Sequence, residues 1–401
     1  MRTRAAIGLA ALVACAPTLA EYTLVVDLAQ PDELTATLKL PKAEGGPHRL
    51  DVRGAAWGLQ PQVHSPACGG APLKQQKNGT WIAEPGCREV TWKISPVVAI
   101  DGFADVSKHS TLLFQKPRWL LLSEASSLLR PTDDTSGSAS SITIRSGNAA
   151  ALGATATGKQ SWRVPSAKNA PEIFVIGDAS TRSRTIGPFE VRYVADDAKR
   201  IESLGLEGLH EKALEYLARI LPPPPALPAS ERTLLVVWVG IDERRGRAGG
   251  AAGSRSFVAN YLIGKPDTAR LNAARTLRVL AHEQFHQLAD LVRGPLAPLS
   301  EWLNSSLAAY YGLKTLLKTA PGAEAESIRT QFNAPGAAFW AAIDDALRSD
   351  SAGASDLDAL LPDLLRIEAR PGERVPAAFV AKLRASLGAQ VDAILAKYGG
   401  N

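Results

Sequence analysis

Apolar and polar residues alternate along much of the first 160 positions. Tyr22-Thr23-Leu24-Val25-Val26-Asp27 and Glu33-Leu34-Thr35-Ala36-Thr37-Leu38-Lys39-Leu40 follow the two-residue period of strands with one buried face. Glu89-Val90-Thr91-Trp92-Lys93-Ile94 and Ser141-Ile142-Thr143-Ile144 repeat it, and Gly, Pro, Asn and Asp clusters separate the runs, which predicts a β-sandwich. Residues 131–159, rich in Ser, Gly, Thr and Ala, predict long loops or a loosely held edge. Beyond them lie two further strands, 172–176 and 189–194, and a helical run over 197–221 stopped by Pro222-Pro223-Pro224-Pro225. An apolar strand at 233–239, a glycine-rich loop and a strand at 256–263 follow, and from Asp267 onward the pattern is almost wholly helical. The expected architecture is α+β and multidomain: a β-sandwich over 21–165, then an α/β and finally helical part over 170–401.

The best-defined helix carries the chemistry. Asp267 after Pro266 suits an N-cap and Gly294-Pro295 a stop, while Leu277, Leu280, Ala281, Leu288 and Leu291 make one apolar face. Beside that face runs His282-Glu283-Gln284-Phe285-His286, a complete H-E-x-x-H. Histidines at i and i+4 project from one side of a helix and can share a zinc ion, with Glu283 as general base for an attacking water.

Composition adds a cellular setting. Arg2 and Arg4 precede an apolar stretch, 5–14, that is too short to span a bilayer, the layout of an export signal over 1–20. Thr18-Leu19-Ala20 suits ordinary signal peptidase. Leu12-Val13-Ala14-Cys15 resembles a bacterial lipobox, which would make Cys15 the lipidated first residue. Of the chain's three cysteines this leaves Cys68 and Cys87, read as one disulfide in an oxidising envelope compartment. No later stretch reads as a membrane span, so membrane contact is expected only through the N-terminal lipid. The formal charge of +5 drops by two with the leader, and Arg244, Arg245 and Arg247 share one Gly-rich loop with no second basic stripe, which excludes a nucleic-acid partner.

The zinc-helix motif, with Glu301-Trp302-Leu303-Asn304-Ser305-Ser306-Leu307-Ala308-Ala309-Tyr310-Tyr311 downstream and Gly249-Gly250-Ala251-Ala252-Gly253-Ser254-Arg255-Ser256 upstream, resembles the gluzincin metallopeptidases. The pattern is nearest to the glycyl aminopeptidase family and more distantly similar to the aminopeptidase N family. Those families write the two flanking stretches as W-L-N-E-G-x-A-x-Y and G-G-L-E-H-x-x-S, and the likeness covers about 170–320. It implies a thermolysin-like catalytic-type domain, zinc as cofactor, a peptide or protein substrate, and Gly249 and Gly250 at the edge of the substrate cleft.

The departures from this pattern are specific. The family's third zinc ligand, a glutamate nineteen residues after the second histidine, is Ser305 here, and the glycine after it is Ser306. The acid that holds a substrate's amino end falls on Ala252, its neighbouring histidine on Gly253, and the tyrosine that stabilises the tetrahedral intermediate has no evident counterpart. Glu301, one turn before Ser305 on the same face, is the candidate replacement ligand, although an acid just after the N-cap Ser300 also suits the helix dipole. A two-histidine site completed by water is the other option, and Asp290 is expected to orient His286. Two functions follow: an envelope zinc peptidase, exported as a periplasm-facing lipoprotein or as a soluble periplasmic or secreted protein, or an inactive relative that binds peptides or an envelope partner. Oligomeric state is not written in the sequence.

Overall fold

The computed structural model describes residues 20–398 apart from 32–33, 41–45, 133–138, 167–168, 295, 297–298, 369 and 371–372. The expected leader, with Cys15, lies outside the described residues. The protein is mixed α/β, with several sheets and ten α-helices among the described residues.

Three sheets precede residue 178. The eight-stranded one is centred on Glu21–Val25, which runs parallel to Ser140–Arg145 and antiparallel to Leu34–Lys39, itself paired with Glu89–Ile94. Alternation works here as expected: Leu34, Ala36 and Leu38 turn inward with Tyr22, Leu24, Trp92 and Ile142. Cys68 and Cys87 are joined by a disulfide, S–S 2.07 Å, beside this sheet.

The inward side chains meet Leu120, Leu122, Phe174 and Ile176 from a five-stranded sheet that includes Arg118–Ser123 and Ile173–Gly177. This second sheet is a middle layer. Its opposite face presents Trp119, Leu121, Ile173 and Val175 to Val194, Leu235, Val237, Val239 and Val258 of a later sheet. Strands buried on both sides read as unbroken apolar runs. Each such large side chain contributes about 1.5–3 kcal/mol on burial. Ile173–Gly177, grouped above with the later segment, therefore belongs to the earlier sheet by its pairing.

The later sheet positions the site. Its order is Ser180–Ile186, Phe189–Ala195, Thr233–Asp242, Ser256–Ile263 and Gly250–Ala252, with the three inner strands parallel. Tyr193, Val236, Trp238, Phe257 and Tyr261 face the helices. The expected single helix over 197–221 is two, Ala198–Ser203 and Leu206–Ile220, because the chain turns through a left-handed Gly205.

The motif helix is Ala269–Arg293, and it packs on Ser256–Ile263, Leu206–Ile220 and the next helix, Glu301–Thr319. It starts after a 3-10 turn, Pro266–Thr268, rather than at Asp267. Gly312 lets the next helix approach closely: a Cβ there would lie 2.9 Å from the Arg278 carbonyl oxygen and 3.3 Å from His282 Cβ.

Candidate metal and peptide site

His282 and His286 converge. Their Nε2 atoms are 3.3 Å apart, on rings set nearly perpendicular. Two nitrogens each about 2.0–2.1 Å from one tetrahedral zinc would stand about 3.4 Å apart. His286 Nδ1 meets Asn304 Oδ1 at 2.9 Å. An amide oxygen only accepts, so the imidazole proton sits on Nδ1 and Nε2 keeps its lone pair for a ligand. Burial lowers His282 to about 3, helped by His286 and Arg278 and opposed by a hydrogen bond to the Ala308 backbone. Burial lowers His286 as well, against the Asn304 bond. Both rings are held neutral, the form that binds metal.

Glu283 lies on the same helix under the edge strand Gly250–Ala252. Burial raises its carboxyl to about 8, and a hydrogen bond from the Ala252 backbone and the charge of Arg278 act in the other direction. The strand can lie this close only because residue 250 lacks a side chain. A Cβ there would come within 2.8 Å of Glu283 Cγ and Oε1. Gly249 stands just outside the cleft lining, its carbonyl accepting from the Asn260 backbone at 2.8 Å.

Glu283 and His286 border a cleft of about 610 Å³ whose walls also include His109, Gly250, Ala252 and Ser305, while His282 is not part of its lining. Glu301 does not complete the metal set. No third His, Cys, Asp or Glu joins the pair in a metal-binding group among the described residues. Glu301 is exposed, begins its helix and lines only the cleft wall. Side chains lean toward the helix N-terminus, which carries a first-turn residue away from the position one turn further on. Asp290 does not orient His286 either, since Asn304 does. Burial raises Asp290 to about 6, with Arg255 and Arg293 opposing.

Ser305 is exposed and borders the cleft with a hydroxyl, a weak zinc donor. Ser306 is buried and takes a structural part, accepting from Trp340 Nε1 at 2.9 Å. Tyr310 and Tyr311 turn away from the cleft: their hydroxyls donate to Asp344 and Asp358, at 2.5 and 3.1 Å. No tyrosine borders the cleft among the described residues. Among the described residues the donor set therefore fits zinc at two positions and lacks the third protein ligand of a catalytic site. Sequence reading missed His109 and the role of Asn304. Asn304 stood inside a quoted motif, but its effect on the tautomer needs geometry. His109 has no local signal at all.

Such a helix pair laid on a mixed sheet, with an N-terminal β part, defines a class of fold. No family model and no curated protein matches the chain. Among solved structures, an aminopeptidase N family protein from Idiomarina loihiensis is similar over 86% of this chain and 70% of its own, with TM-score 0.62 and 14% identity. An M1 zinc metallopeptidase from Deinococcus radiodurans, bound to a Tyr-Ser-Ala substrate, covers 94% and 92% with TM-score 0.49 and 14% identity. A two-domain M1 zinc metallopeptidase bound to L-arginine covers the same shares with TM-score 0.48 and 16% identity. At these identities the likeness is one of fold, and it rests on the first of the three.

Proposed function

We propose that the protein is a zinc-dependent, peptidase-like hydrolase of the bacterial envelope, with zinc held by His282 and His286 and exchangeable water completing the site. The observation that carries this reading is the convergence of two neutral imidazole Nε2 atoms beside a buried carboxyl. Bound zinc supplies Lewis-acid activation of water and of the scissile carbonyl. The chain's own groups do the rest. Asn304 keeps the His286 proton on Nδ1. Glu283 takes a proton from the attacking water and delivers it to the departing amine, and the Ala252 N–H steadies its carboxylate. With a cation held by His282 and His286, the Glu283 carboxyl would favour its ionised, basic form. With Ala252 in place of an amine-anchoring acid, cleavage within chains is favoured over trimming of amino ends. Export fits the disulfide, since such bonds persist in oxidising compartments. No helix among the described residues is long and apolar enough to cross a membrane.

A second reading, a catalytically silent peptide-binding relative, is favoured by one observation: no third His, Cys, Asp or Glu joins the pair among the described residues. The two separate on zinc-loaded protein assayed with a broad peptide library. The hydrolase reading expects close to one zinc per chain and turnover that Glu283→Gln reduces about 10³-fold at unchanged zinc content. Protein that stays metal-free in excess zinc sinks it. Peptide binding without turnover, indifferent to Glu283→Gln, establishes the second reading.

A further inference from the structure

We propose that Asp290 binds the cationic side chain of a lysine or arginine in a peptide guest, forming a subsite beside the paired histidines. The inference rests on the peptide-cleft reading above and names the class of residue that the cleft selects. Asp290 follows His286 by one helical turn, about 6 Å along the axis. It lines the cleft of the motif helix and also a second cavity of about 410 Å³, and Asn169 and Gly294 border both as well. The two cavities therefore adjoin at this residue, and a guest lying at the histidines can place a neighbouring side chain there.

The Asp290 backbone carbonyl accepts from Gly294 N at 3.0 Å, but its carboxyl has no hydrogen-bond or ion-pair partner among the described residues. A largely buried carboxyl left in this way forfeits the hydrogen bonds that water gave it, and a donor from a guest restores them. The two nearby guanidinium groups do not fill the role. Arg255 donates to the Glu231 and Ser254 carbonyls at 3.2 and 2.9 Å and lies 3.9 Å from the Glu231 carboxylate. Arg293 donates to the Leu365 carbonyl at 2.5 Å, and Glu368 shares its charge. Burial accordingly outweighs both arginines at Asp290. Among the described residues lining the motif-helix cleft, three acids, Glu283, Asp290 and Glu301, stand against one guanidinium, Arg293. An ammonium or guanidinium carries donors and no acceptor, the complement of an ionised carboxylate.

The test uses zinc-loaded protein carrying Glu283→Gln, so that no guest is consumed. The guests are Ala/Ser decapeptides with fluorescein on the amino end, an amidated carboxy end and one central lysine, arginine or norleucine. Binding is read by fluorescence anisotropy at pH 8, with zinc content measured on each protein. We expect the lysine and arginine peptides to bind about tenfold more tightly than the norleucine peptide, the low end for a hydrogen bond to a charged group. Adding Asp290→Asn should cut that preference to about twofold or less, with norleucine affinity and zinc content unchanged. Equal affinity for lysine and norleucine in the parent overturns the proposal. So does a preference that survives Asp290→Asn, or one lost with Glu301→Gln instead. If Asp290→Asn weakens all three peptides alike, the carboxyl is structural and the proposal falls. A parent that binds none of the peptides overturns the peptide-cleft reading, a distinct outcome, and this subsite with it.

Discussion

The two faces of the motif helix hold buried histidines to opposite ends. Behind the helix, His210 is closed on both ring nitrogens by the protein: Tyr193 Oη lies 2.8 Å from Nδ1 and Gln284 Oε1 3.1 Å from Nε2. The Gln284 amide donates onward to Gln287 Oε1 at 3.0 Å, which fixes every direction: Tyr193 donates to Nδ1, and Nε2–H donates to Gln284. In front, His282 and His286 turn their Nε2 atoms on each other beside a cleft that His286 lines. Burial lowers the imidazole on both faces, to about 4 for His210 and about 3 for His282. Low basicity alone therefore does not mark a site. What separates the faces is whether both ring nitrogens are closed by the fold, as on His210, or one on each ring is left for a ligand, as on His282 and His286.

The sharpest way to break this comparison is to exchange alanine for one histidine on each face. His282→Ala should weaken zinc binding about 100-fold or more, measured by competition with a chelator, while leaving the denaturation midpoint nearly unchanged. His210→Ala should keep its zinc and lose about 2–4 kcal/mol of stability, from the cavity and the unpaired Tyr193 and Gln284. If the two variants lose the same property, the faces do not differ as described.

A second contrast uses pH. The folded His210 titrates near 4, and its unfolded counterpart near 6.5. Between those values only the unfolded chain gains the proton. The stabilisation is thus full above pH 6.5 and is lost as pH falls toward 4, by about 3 kcal/mol at most. The stability gap between wild type and His210→Gln should narrow over that window in urea melts. A gap that stays constant from pH 7 to 4.5 contradicts a neutral, closed His210. Glu172, raised to about 7 by burial, has the opposite sign, with stability lost as pH rises through 7, and it cancels in the difference.

The smallest effect sharpens the front face. Ser305→Glu, at an exposed helical position bordering the cleft, should tighten zinc about tenfold by supplying a carboxylate donor. Unchanged zinc affinity would mean that the position does not reach the histidine pair.

Local pattern revealed what local physics determines. Period-two alternation located Leu34–Lys39 and Glu89–Ile94 because one face of each is buried. The ends of the motif region were legible because Gly294 caps the first helix and Ser300 accepts from Leu303 N at 3.4 Å to start the next. Pairing across the chain was not legible. The apolar run at Ile173–Gly177 announces burial on two faces but not between which sheets. Gln284 reads as a filler inside the motif until His210 is found behind it, and His109 reads as nothing until Asn260 ties its segment to the site sheet. Ser305 was the informative departure, and no carboxylate among the described residues compensates for it.

The middle layer makes the β part inseparable from the chemistry. Arg118–Ser123 presents Leu120 and Leu122 to one neighbour and Trp119 and Leu121 to the other, and the buried Glu172 carboxylate accepts from Ser256 on the site strand. A hinge between the two parts would have to tear that shared core. The cleft walls that come from the two parts are therefore fixed against each other when the chain folds. Under the hydrolase reading proposed above, selection would fall on the flexibility of the guest as much as on its side chains.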